Sequence, residues 1–193
     1  MVSMWLPPDV KDMTALTDRK LRLRMRASTD VDTVVLHQMG FSRGNVPERY
    51  LNVVSHFAVL PDGTILKLHP MEAFLAASSD LNTYSVAVEF AGNFPNEKGY
   101  YWAGNAGRHI LGEKQISAGR ELLRWMYQDL GIVFINAHRQ GELASERGNC
   151  PGPDIWYHLG EWAVKDLGMD DGGKDFKEGR GSPIPESWRR PRT

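Results

Sequence analysis

The stretch that decides the fold is Thr33-Val34-Val35-Leu36-His37. A short run this apolar reads as a strand covered on both faces, and it delivers a histidine at its end. A second run, Ser85-Val86-Ala87-Val88-Glu89-Phe90, has the same character. With period two, Val86, Val88 and Phe90 share one face, while Ala87 and Glu89 share the other, so a carboxylate stands on a strand that otherwise reads as buried. A third strand, from Val133 to His138, again ends in histidine.

Between these runs the chain alternates. Pro47 to Val54 reads as a short helix with proline near its start. His56 to Leu60 and Thr64 to Leu68 flank Pro61-Asp62-Gly63 and read as a hairpin. Apolar residues at Leu122, Leu123, Met126, Tyr127 and Leu130 recur at helical spacing, and Gly131 supplies the stop. A second helix begins at Asp154, carries Ile155, Leu159, Trp162 and Ala163 on one stripe, and ends at Gly168. The order strand, short helix, hairpin, strand, helix, strand, helix predicts an α/β single domain with a central mixed β-sheet flanked by helices. It is expected over residues 30–169, with an N-terminal arm at 1–29 and a Gly/Pro-rich tail at 170–193. In the tail, Phe176 and Trp188 are candidate anchors. In the arm, Leu21, Leu23 and Met25 alternate with Arg22, Arg24 and Arg26, which predicts an amphipathic strand with a solvated cationic face. The same stripe also admits a role in attracting anionic polymers.

Composition narrows the function. The chain has 193 residues, 41% hydrophobic and 24% charged, which is ordinary for a chain with a real core. Its net charge of −1 gives no global field toward nucleic acid or membrane surfaces. No apolar stretch is long enough to span a membrane. The first residues, Met1 to Met13, show no basic segment followed by an apolar run, so no signal peptide is expected. A single cysteine excludes an intrachain disulfide. Cys150 sits in Asn149-Cys150-Pro151-Gly152-Pro153, a rigid turn. Two imidazoles at strand ends and one thiol suit Zn2+, since three protein ligands leave a fourth position open. Spacing alone is a weak signal here, and two core histidines with a buried cysteine remain the competing reading.

Five blocks in order strengthen it: His37 at the end of its strand; Ser55-His56-Phe57-Ala58-Val59 with Asp62-Gly63-Thr64; Asn82 to Glu89; Ala137-His138-Arg139; and Cys150-Pro151-Gly152-Pro153. Together they resemble the type 2 N-acetylmuramoyl-L-alanine amidases, which include phage zinc lysozymes and the peptidoglycan recognition proteins. The resemblance runs from about residue 31 to 167. It implies zinc held by His37, His138 and Cys150, and hydrolysis of the amide between N-acetylmuramic acid and L-alanine. Peptidoglycan or a muropeptide would be the partner of a monomeric enzyme reaching the cell wall after release or delivery. Glu89 falls where some members place a catalytic carboxylate, and a buried salt bridge is its alternative role. The sequence departs from the family at Ser55, where many relatives carry tyrosine. It departs again at Gly148, where lysine or threonine is common, and at Phe74-Leu75-Ala76, where Trp-His-Ala is common. Arg147 or Arg139 is then a candidate for stabilising an oxyanion. Tyr100, Tyr101 and Trp102 either form a lip for a sugar ring or pin their own loop. His56 reads as a core or supporting histidine, and His69, His109 and His158 as surface or packing residues. A peptidoglycan-binding module without catalysis is the alternative function, and a cysteine hydrolase using Cys150 and His138 ranks behind both.

Overall fold

The computed structural model describes residues 9–104, 107–142, 147–177 and 179–192. Its centre is a seven-stranded mixed sheet. The strands are β1 (Val10–Asp12), β3 (Thr33–Gln38), β4 (Phe57–Val59), β5 (Ile65–Lys67), β7 (Ser85–Phe90), β8 (Phe134–Ala137) and β9 (Asp170–Asp171), in the order β1-β5-β4-β7-β3-β8-β9. β3 runs parallel to both β7 and β8, so the three predicted central strands end on one edge of the sheet. β4 and β5 form the expected antiparallel hairpin. This is the mixed sheet with flanking helices that the sequence predicts.

Alternation sorts the sheet into two faces. Val34, Leu36, Val86, Val88 and Phe90 pack under α1 (Glu113–Leu130), against Ile116, Leu122, Leu123 and Met126. Gly131 ends α1 in the left-handed conformation (φ 70°), as a helix stop should. Gly119 lets α1 approach closely, because a Cβ there would stand 2.9 Å from the Phe90 ring. The second helical run opens as α2 (Pro153–Ile155) and continues in wider π turns over Trp156–Glu161 and Ala163–Leu167. Gly160 makes room for the Trp156 ring, which would lie 2.6 Å from a Cβ at that position.

The arm departs from its expected form. Its first strand, β1, joins the main sheet beside β5. Only Arg24–Met25 (β2) forms a strand in the alternating stretch, and it pairs with β6 (Ala73–Phe74) in a separate two-stranded sheet. The expected two-faced pattern does not form. Leu23 and Met25 are exposed together with Arg24, whereas Arg26 is buried. The Arg26 guanidinium donates to the carbonyls of Met71 (3.0 Å), Thr83 (3.0 Å), Ser85 (2.6 Å) and Asn82. A ring of inward-facing carbonyls wants a donor with many N–H groups, and the Arg26 guanidinium supplies them.

The C-terminal segment lies against the same domain. Phe176 packs on Phe134 with ring centroids 4.8 Å apart. Trp188 is buried in a cluster with Ala137, Trp156 and Ile184. Arg189 pairs with Glu161 (2.8 Å) and Asp171 (2.9 Å). Among the described residues, no helix is long and apolar enough to cross a membrane.

Candidate metal centre

His37 and Glu89 face each other across β3 and β7, as register partners on the face away from α1. Alternation puts them there: Leu36 and Val88 point toward α1, so their successors point away. His138 follows the end of β8 and opens a short 3-10 turn, His138–Gly141. Cys150 arrives from the other side of the site. The Arg139 N–H donates to the Cys150 carbonyl (3.1 Å), which ties the cysteine turn to the histidine turn. Gln38 adds a second tie: its Nε2 donates to the Asn149 carbonyl (2.7 Å) and its Oε1 accepts from the Phe94 N–H (2.9 Å). Gly152, at φ 95°, leaves room for that amide.

These elements bring His37, His138 and Cys150 together, with one ligating atom from each within 4.8 Å of the others. All three residues are buried. Cys150 Sγ lies 3.8 Å from His37 Nδ1. Burial, and then the neighbouring His138, hold His37 well below its usual pKa. Burial pulls His138 down to about 4, with Arg147 adding to the effect and Glu142 opposing it. Both imidazoles are therefore neutral at neutral pH and have lone pairs to give. Burial pushes the Cys150 thiol up, and the nearby Glu89 adds to that shift. Glu89 itself is raised to about 8 by burial, against the opposing pull of Arg147. Its Oε2 is sealed from solvent and has no hydrogen-bond partner among the described residues.

The cluster forms the floor of an open cavity of about 380 Å³, lined also by Ala76, Ala77, Trp102 and Arg147. A second cavity of about 760 Å³, lined by Tyr100, Tyr101 and Arg108, shares Trp102 as a wall. The aromatic loop is pinned, but by Asn93 rather than by its rings. Asn93 Nδ2 donates to the carbonyls of Trp102 (3.3 Å) and Gly107 (3.1 Å), and its Oδ1 accepts from the Trp102 N–H (3.2 Å). Tyr100 is left exposed.

The other candidates fall outside the centre. His56 is a core residue: Nε2 donates to the Ala73 carbonyl (2.8 Å) and Nδ1 accepts from the Ala87 N–H (3.0 Å). His69 accepts from Arg22 Nε (3.1 Å), and His109 accepts from the Asn93 N–H (3.0 Å). Ser55 is buried, with its hydroxyl donating to the Phe57 carbonyl. Arg139 stacks over Trp188 and donates to the Gly148 carbonyl (2.6 Å). Of the two arginines, Arg147 is the one lining the cavity.

Three neighbours escaped the sequence reading. Ser78 Oγ lies 3.0 Å from His37 Nε2. Ser79 Oγ lies 3.0 Å from His138 Nε2, and Glu142 Oε2 lies 3.1 Å from the same nitrogen. The signal that could have found Glu142 is its position four residues after His138.

The profile of the N-acetylmuramoyl-L-alanine amidase family matches residues 27–153, well over half of the chain, and the chain belongs to that family. Its fold is similar to solved structures of low sequence identity. LysC, an N-acetylmuramoyl-L-alanine amidase from Clostridium intestinale URNW, superimposes with a TM-score of 0.61 at 17% identity, covering 84% of this chain and 99% of that one. Drosophila PGRP-LB gives 0.58 at 12% identity, covering 81% and 94%. Human PGRP-IβC, solved in complex with glycosamyl muramyl pentapeptide, gives 0.57 at 11%, covering 79% and 98%. No curated protein matches by sequence. At these identities the structural likeness carries the fold.

Proposed function

We propose that this protein is a zinc-dependent N-acetylmuramoyl-L-alanine amidase that cuts the bond between the lactyl group of N-acetylmuramic acid and L-alanine in cell-wall peptidoglycan. The observation that carries this reading is the convergence of His37, His138 and Cys150 in the lining of an open cavity, beside the half-buried carboxylate of Glu89, whose Oε2 has no hydrogen-bond partner among the described residues. The donors fit zinc. Two neutral imidazoles and a thiol form a three-ligand set that leaves a fourth position. A thiol so deeply buried ionises only with a cation beside it. When bound, zinc supplies Lewis-acid chemistry, polarising the scissile carbonyl and making water more acidic.

The chain's own residues do the rest. Glu89 takes a proton from the attacking water and returns it to the departing L-alanine nitrogen. Burial makes its carboxylate basic enough for both steps. Arg147 lines the same cavity and can donate hydrogen bonds to the developing oxyanion, the task open where Gly148 stands. The exposed Tyr100 and the Trp102 wall offer apolar faces to a sugar ring beside the cut.

Metal content measured together with hydrolysis of purified peptidoglycan tests this reading. The expected result is one zinc per chain and chelator-sensitive release of amino groups, with no new reducing ends. Zinc without hydrolysis would favour the binding module. Hydrolysis that survives chelation and dies on alkylation would favour a cysteine nucleophile.

A further inference from the structure

We propose that the Ser78–Ser79 turn and Glu142 position both histidines through their Nε2 atoms and so reserve Nδ1 of each for the metal. The proposal takes zinc as the ligand from the reading above and adds the residues that orient its site.

A carboxylate can only accept a hydrogen bond, so Glu142 Oε2 at 3.1 Å requires the proton of neutral His138 to sit on Nε2. The Ser79 hydroxyl donates to the same Glu142 oxygen, and its own oxygen lies 3.0 Å from His138 Nε2, where it can accept the same proton. The lone pair of His138 is thereby left on Nδ1. Ser78 Oγ stands in the equivalent place for His37, 3.0 Å from Nε2, while His37 Nδ1 faces the sulfur of Cys150. Two consecutive serines thus hold two imidazoles that come from different strands.

The turn is built for this. Ser79 adopts φ 51°, a left-handed conformation that costs a serine roughly 1 kcal/mol. Asn82 holds the turn by accepting from the N–H groups of Ala77 (3.0 Å) and Ser78 (2.6 Å) with one side-chain oxygen. Asp80 pairs with Arg180 of the C-terminal segment. On the other side, the His138–Gly141 turn docks closely enough that a Cβ at Gly141 would stand 2.6 Å from Leu81. A free imidazole can turn over and present either nitrogen. Here the outer nitrogens are held before any metal arrives. Carboxylate partners of this kind fix the tautomer and raise the basicity of a ligating histidine.

Two measurements on the full chain test the proposal. Nitrogen-15 NMR of the metal-free protein reads the tautomer of each histidine directly, and Nε2–H is expected at both His37 and His138. Competition with a chromophoric chelator reads zinc affinity. Glu142→Ala is expected to weaken it 10–100-fold. Ser79→Gly, which keeps the backbone conformation and removes the hydroxyl, should weaken it several-fold. Glu142→Gln should restore most of the loss, because its amide oxygen still accepts from Nε2–H. An Nδ1–H tautomer at either histidine would overturn the proposal. So would unchanged zinc affinity in a folded Glu142→Ala protein, or a wild-type chain that binds no zinc. If affinity falls as expected in a protein that leaves peptidoglycan intact, the positioning role stands and the amidase reading falls.

Discussion

Two buried polar clusters of this molecule use their histidines differently. One gathers Arg26 and His56 under the arm. The other gathers His37, His138, Cys150 and Glu89 at the ends of β3, β7 and β8. In the first, the terminal guanidinium nitrogens of Arg26 reach four carbonyls, and both ring nitrogens of His56 are engaged by backbone. In the second, the outer nitrogens are held while a thiol, an imidazole nitrogen and a carboxylate oxygen face one another across a cavity. The difference lies in what is left over and where. The first cluster leaves the Arg26 Nε–H and the Ser85 hydroxyl without a partner among the described residues, away from the cavity, whereas the second leaves its spare capacity on the cavity wall, where a ligand can use it.

Substitutions should divide along the same line. The largest effect is expected from Cys150→Ala, which should lose zinc and drop hydrolysis to background while the circular dichroism spectrum is unchanged. Retained zinc stoichiometry would remove the cysteine from the ligand set. Glu89→Gln should keep zinc and lower the rate by about 10²–10⁴. Its thermal stability should hold or rise, because an acid with one sealed, unpartnered oxygen is replaced by a neutral amide; near-normal turnover would move the proton transfer elsewhere.

In the other cluster the readout is stability. Arg26→Ala leaves four carbonyls without their donor, and urea unfolding should show a loss of about 3–5 kcal/mol. The activity of the molecules that remain folded should be normal. If Arg26→Ala lost zinc without losing stability, the two clusters would not be separable.

The smallest effect is that of acid. Burial holds His56 at about 3, below its ordinary 6.5. Between those values the unfolded chain takes up a proton that the folded chain refuses, so His56 makes stability fall as pH drops from 6.5 toward 3. The contribution is roughly 2–4 kcal/mol over that window, and none of it arises above pH 6.5. Unfolding curves at pH 7, 5 and 4 check it, with His56→Gln expected to flatten the slope. An unchanged slope would place the acid sensitivity in other groups.

Much of the candidate metal cluster was legible in the sequence because strand periodicity is local. Thr33 to His37 fixes the end of a buried strand, and the alternation in Ser85 to Phe90 puts Glu89 on the face opposite Val88. His138 was visible as the end of a third strand, and Cys150 as the sole thiol in a turn stiffened by proline. Their assembly as ligands came from the order of five blocks, since no local spacing brings residue 37 to residue 150. The alternation of residues 21–26 was also legible, but which side faced inward was not. That depended on where Met71, Asn82, Thr83 and Ser85 turned their carbonyls, and only the folded chain sets this.

The sequence by itself determined the three central strands and the β4–β5 hairpin, the two main helical runs, the faces of β3 and β7 and the residue types available to a metal. Tertiary structure decided what those residues touch. It placed the Ser78–Ser79 turn between two histidines, tied Cys150 to β3 through Gln38, and seated Trp188 beneath Arg139. The physical reason is range. Backbone periodicity acts over a few residues and leaves its mark in neighbouring letters. A hydrogen bond between side chains forty to over a hundred positions apart leaves no local mark, and exists only once the sheet has set its partners side by side.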